Sequence, residues 1–203
     1  MALLLFLGCN NKKENTDGQE KPVTRPDSII STNTVAPVNS YAPVDISPMD
    51  MSYFPVDYPI SKMGKAKSSG PLARVIYSRP HLQGRHVFHE VLKYGEPWRL
   101  GANESTELEL YADARIGDSQ IKAGRYVLYC IPQPTEWKII LNSNTHSWGL
   151  KPDPSKDVAS FTVPAVTTSN SLEYFTMVFL PAGKGAELLM AWDNVEVRLP
   201  ILF

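Results

Sequence analysis

Thr106-Glu107-Leu108-Glu109-Leu110-Tyr111 decides the fold class. Apolar and charged residues alternate with a period of two, the pattern of a strand with one face in a core and the other in water. Upstream, Ala73-Arg74-Val75-Ile76-Tyr77-Ser78-Arg79 reads as a strand closed by Pro80. Downstream, Gly117-Asp118 makes a tight turn between Ala114-Arg115-Ile116 and Gln120-Ile121. Gly124 then opens Arg125-Tyr126-Val127-Leu128-Tyr129-Cys130-Ile131. A Pro-rich loop leads to Trp137-Lys138-Ile139-Ile140-Leu141-Asn142, and further strands are expected over residues 158–163, 173–180, 186–192 and 195–199. Eight or nine short strands joined by Gly, Pro and Asn turns predict an all-β fold, a single antiparallel β-sandwich with a jelly roll as one form of it. The one helical turn expected covers residues 86–94.

This folded part is expected to occupy residues 70–203, long enough to bury its own core. Residues 10–69 read differently. They are rich in Pro, Ser, Thr, Asn and Lys, with Pro22, Pro26, Pro37, Pro43, Pro48, Pro55 and Pro59 spread through them. Proline removes a backbone donor and disfavours helix in the residue before it. A segment with so little apolar surface cannot offset its conformational entropy, so a disordered tether is expected. Residues 49–59 are more apolar and are expected to lie extended along the domain surface.

At the other end of that tether, residues 1–9 are almost wholly apolar and finish in Phe6-Leu7-Gly8-Cys9. This resembles the end of a bacterial lipoprotein signal, with a small residue before the cysteine, although only the tail of such a signal is present, without its basic n-region. Cys9 is therefore the expected lipidation site, and the polar run from Asn10 to Lys21 suits a solvated tether. The chain is placed in the bacterial cell envelope, held to the membrane by that lipid. Asn10 after the cysteine points to the outer membrane by analogy with other bacteria.

Lys and Arg number 20 against 21 Asp and Glu, a formal net charge of −1. No basic stripe offers the electrostatic footprint that nucleic acid requires. Cys130, inside an apolar run, reads as a small buried hydrophobe and is not paired with Cys9. His81, His86, His89 and His146 match no zinc spacing, so no metal and no cofactor are assigned.

The chemistry-bearing stretch runs from Tyr77-Ser78-Arg79-Pro80 through Gly84-Arg85 to Trp98-Arg99-Leu100-Gly101-Ala102-Asn103-Glu104-Ser105-Thr106. Arginine presents a rigid donor fork suited to carboxylate or phosphate, and Trp98 a flat face for a sugar ring. Arg79, Arg85, Trp98, Arg99, Asn103 and Glu104 are the ligand-binding candidates. In the structural alternative Arg79 or Arg99 bridges to Glu104 and Trp98 plugs the sandwich. No Gly-x-Ser-x-Gly word or phosphate loop occurs, and no catalytic residue is assigned. Trp137, Trp148, Trp192, Phe175 and Phe179 are expected to pack in the core or plug the sandwich ends.

The words Tyr77-Ser78-Arg79-Pro80, Gly84-Arg85 and Trp98-Arg99-x-Gly101-Ala102-Asn103-Glu104-x-Thr106 resemble the signature of the bacterial domain of unknown function 2911. Ala123-Gly124-x-Tyr126 and Glu136-Trp137 agree with it. The resemblance implies a secreted or lipid-anchored envelope protein and carries no catalytic role. The sequence departs from it at His86-Val87-Phe88-His89, where Phe-Gly is usual. The function expected is a non-enzymatic binding or accessory module for a glycan or anionic small ligand. The alternatives are a hydrolase of an envelope or periplasmic substrate, with Glu104 as acid or base, and a structural lipoprotein.

Overall fold

The structure is a computed structural model that describes residues 45–64 and 70–203. Cys9 and the first part of the expected tether lie outside the described residues. The elements are nine strands with three short helical pieces between them. The strands are β1 (Met49–Phe54), β2 (Ala73–Ser78), β3 (Thr106–Leu110), β4 (Ala114–Ile116), β5 (Ser119–Ile121), β6 (Gly124–Pro132), β7 (Glu136–Asn142), β8 (Asp157–Ala182) and β9 (Gly185–Leu202). The helical pieces are α1 (Tyr58–Ser61), a π-helical turn at Val87–Val91 and a 3-10 turn at Pro154–Lys156.

All pairings are antiparallel, in the order β1-β2-β3-β6-β7-β8-β9-β4-β5. This is a meander in which only the β4–β5 hairpin is displaced, to the far end beyond β9. The double Greek key of a jelly roll does not occur among the described strands.

β3 shows why the sheet has one dry face. Thr106, Leu108 and Leu110 are buried, whereas Glu107 and Glu109 point outward. The two glutamates are not merely solvated. Glu109 stands in register with Arg74 and pairs with it, and Glu107 pairs with Arg125 on β6.

Two strands are much longer than expected. β8 runs 26 residues and joins what read as two separate strands, 158–163 and 173–180. Its first part pairs with β7, and from Ala165 onward it pairs with β9. Register shifts between Thr167, Leu172 and Thr176 let it bend between the two tasks. β9 likewise unites the expected strands at 186–192 and 195–199.

The strand order is open, but the sheet folds back so that β1 and β2 lie against the distal half of β8. Phe179 N donates to Ser52 Oγ at 3.1 Å. The Tyr77 and Phe175 rings meet edge-on at 5.7 Å, and Phe54 packs on Phe179 and Phe203. One core fills the space between the layers, with Trp137, Trp192, Phe175 and Phe179 at its centre.

The sheet also starts earlier than the expected boundary at residue 70. Met49–Phe54 pairs residue by residue with β2, from Met49↔Ser78 to Phe54↔Ala73. The prolines on either side, Pro48 and Pro55, hid this edge strand. They flank it rather than interrupt it, and an edge tolerates such flanking.

Candidate ligand-binding site

The signature stretch forms the connection between the π-helical turn and β3. Trp98 is held first: its backbone N–H and C=O exchange two 2.8 Å hydrogen bonds with Cys130. Its ring is buried among Trp137, Phe175 and Trp192, with centroids 4.9–5.8 Å away. The indole Nε1 donates to Gly101 O at 3.1 Å. Trp98 is a core plug with its polar atom satisfied, so it offers no stacking face.

After Trp98 the chain turns sharply. Leu100 and Asn103 both have φ of +55°, a conformation that L side chains rarely adopt. Leu100 tolerates it because its side chain is fully buried and its carbonyl accepts from Thr106 Oγ1 at 2.6 Å. Gly101 follows, and a Cβ there would come within 3.1 Å of Ser78 O, a tight contact. The Gly-Ala-Asn word therefore encodes a tight turn pressed onto β2.

The candidates then separate by their partners. Arg79 is committed to the fold. It donates to Asp50 Oδ2 at 3.1 Å, Phe175 O at 3.2 Å and Thr176 Oγ1 at 3.3 Å, tying β1 to β8. Arg85 donates to Leu82 O and His81 O and closes its own loop. Asn103 Nδ2 donates to Asp45 Oδ2 at 2.7 Å and to Ser47 O at 3.3 Å, fastening the segment that enters β1. Neither Arg79 nor Arg99 bridges to Glu104, which is exposed and has no ion-pair partner among the described residues.

Arg99 differs from all of these. It is half-buried, and its Nε is buried with no hydrogen-bond partner among the described residues. No carboxylate pairs with it among those residues. Loss of hydration holds its guanidinium below the usual arginine value, with no compensating charge. It stays a cation at neutral pH all the same, because arginine starts so high.

Beside Arg99 lies the β7–β8 loop. Ser105 Oγ donates to Ser147 O at 2.6 Å, and Gly149 N donates to Ser147 Oγ at 3.0 Å. Gly149 has φ of +88°, and a Cβ there would lie 2.9 Å from Arg99 Cβ and 2.7 Å from Ser105 Oγ. Only glycine permits this contact. Its neighbours Trp148 and Leu150 are exposed.

Trp148 thus departs from the expectation that it packs in the core or plugs an end, and sequence reasoning missed it as a site residue. The signal was available in Asn142-Ser143-Asn144-Thr145-His146-Ser147. That run of turn formers ends in Trp148-Gly149 and places the tryptophan in a loop.

Elsewhere a groove of about 440 Å³ is lined by Asp45, Ile46, Pro48, Arg79, His81 and Tyr174. Its polar groups are already engaged. The His81 ring is stacked on Tyr174 at 5.3 Å, and His81 Nδ1 faces Glu173 at 3.6 Å. Cys130 is wholly buried, and burial pushes its thiol well up, which suits an inert packing residue. Among the described residues no three His, Cys, Asp or Glu side chains gather as a metal site.

The turn from Trp98 to Thr106, packed on Tyr77-Ser78-Arg79, is the part of the fold that the signature words describe. The pattern defining the proteins of unknown function DUF2911 matches residues 61–201. The chain belongs to the DUF2911 family. The match covers every strand except β1, so Asp45 and Asp50, which receive Asn103 and Arg79, lie ahead of it. No curated protein and no solved structure matches the chain.

Proposed function

We propose that this DUF2911 domain is a binding module of the bacterial envelope that captures a small anionic ligand at Arg99. The observation that carries the reading is the state of Arg99, a half-buried cation without a counter-ion among the described residues. A charge taken out of water is costly unless it is paired. Family-signature arginines that serve the fold, such as Arg79, have their donors occupied. Arg99 has a planar fork free to take a carboxylate or phosphate. Glu104 has no group orienting it as an acid or base, so binding is favoured over hydrolysis.

The envelope location rests on Phe6-Leu7-Gly8-Cys9 and the polar run after it, with Cys9 as the lipid attachment site and the outer membrane as the destination. Replacing Cys9 by serine would release the full-length protein from the detergent phase if this is right.

The ligand reading is tested by thermal shift of the purified protein against acetate, phosphate and neutral sugars. A ligand that binds the native state raises the melting temperature in proportion to its occupancy. Anions should stabilise the wild type and not Arg99→Met, and neutral sugars without a carboxylate should bind far more weakly.

A further inference from the structure

We infer that the Arg99 site continues onto Trp148 and takes a ring bearing a carboxylate, an acidic sugar of the hexuronate kind. This rests on the Arg99 reading and extends it from charge to shape. Trp98, Trp137 and Trp192 are at most 7% exposed, whereas Trp148 is 54% exposed. A lone exposed aromatic is ordinary. What sets Trp148 apart is how firmly its loop is held.

At the base of the loop, Asn142 Nδ2 donates to Asp153 O at 2.8 Å and to Asp157 Oδ1 at 2.7 Å, and Asn142 Oδ1 accepts from Asn144 N. At the tip, Ser147 is bonded to Ser105, and Gly149 is pressed against the Arg99 stem. The loop is fixed at both ends, so its ordering cost is met in folding rather than on binding. The same contact that packs Gly149 on Arg99 places Trp148 one residue away.

Such a pairing divides a ligand into two recognisable parts. The guanidinium takes a carboxylate in its fork. The indole takes a flat, weakly polar ring face, as aromatic walls of small-molecule sites do. Exposed polar groups stand nearby in the chain, Glu104 next to Ser105 and His146 on the Trp148 loop, alongside the exposed Leu150. The polar groups suit ring hydroxyls better than a bare aromatic acid.

The experiment uses the full chain with glucuronate, glucose and acetate as probes, read by thermal shift and by acrylamide quenching of tryptophan fluorescence. Glucuronate should bind about two- to tenfold more tightly than acetate, the range a ring contact of this kind supplies, and should shield the quenchable tryptophan. Trp148→Ala should bring glucuronate down to the level of acetate, and Trp148→Phe should restore most of the difference. Both variants alter an exposed residue, and their unliganded melting temperatures verify folding. If Trp148→Ala leaves the glucuronate-to-acetate ratio unchanged, the ring subsite is wrong while anion capture at Arg99 stands. If Arg99→Met leaves glucuronate binding intact, or no anion binds the wild type, both readings fall. Glucose binding equal to glucuronate would overturn the acidic assignment.

Discussion

Arg79 reaches Asp50 at 3.1 Å on the face of β1 that turns toward β8, so a signature arginine is spent on holding the first strand in place. The same guanidinium bonds the backbone of Phe175 and the hydroxyl of Thr176 on β8. It therefore joins the first strand to the part of β8 that folds over the core.

Arg79→Ala should lower the unfolding free energy by about 1–3 kcal/mol through the loss of these hydrogen bonds. Asp50→Asn should cost less, since a half-exposed ion pair contributes only about 0–1 kcal/mol. Urea unfolding of the two variants checks the order, and an Asp50→Asn loss larger than that of Arg79→Ala would contradict it.

For Trp98 the contacts predict a core truncation. Trp98→Ala should destabilise by about 3–5 kcal/mol, as removal of a buried aromatic does. Trp98→Phe should keep part of the packing but lose the bond to Gly101 O. A near-neutral Trp98→Ala in chemical denaturation would mean the ring is not in the core.

Arg99 predicts the opposite sign. With no partner to lose and a desolvated charge to remove, Arg99→Met should leave stability unchanged or raise it by up to about 1 kcal/mol. Its long apolar stem keeps the packing against Gly149. A loss of several kcal/mol on unfolding Arg99→Met would show that the side chain serves the fold.

The edge strand gives a boundary test. A chain starting at Pro55 should melt well below one starting at Asp45, because it lacks the six pairs of β1 with β2 and the Phe54 contact to Phe179 and Phe203. Equal melting temperatures by circular dichroism would mean that β1 adds nothing to the sheet.

Tyr129 predicts a pH dependence. Burial, and then its hydrogen bonds to Asp157, raise its phenol above the ordinary value. A raised acid favours the neutral form in the native state. The resulting stability is complete below the unfolded value of about 10 and is lost as pH climbs toward the folded one. Tyr129→Phe should cost about 0.5–1.5 kcal/mol at neutral pH. It should also flatten the alkaline fall in stability, as measured by urea midpoints at pH 8 to 11.

Strand identity was written locally, because a half-buried strand needs alternation and nothing else. Thr106–Leu110 lies where the alternating pattern put it, and Glu136–Asn142 where the apolar stretch after the Pro-rich loop did. The core tryptophans Trp137 and Trp192 were legible for the same reason, standing inside apolar runs. The family signature was legible as words, and so was its placement around one turn. The sequence by itself thus determined an all-β domain, its approximate strands and the residues of interest.

Which of those residues are free was decided only by tertiary structure. Arg79, Arg85 and Arg99 are the same residue type in similar company. They differ in whether Asp50 and β8, the His81–Leu82 carbonyls, or, among the described residues, no hydrogen-bond partner lies within reach. Those partners come from as far as residue 176, and local pattern holds no information about contacts at such separation. β1 was hidden for a related reason: its stabilisation comes from β2 and β8, not from its own proline-flanked residues. Trp148 stands in the open because Ser105 and Arg99 hold its loop from outside, a contact between segments more than forty residues apart that only the folded chain brings together.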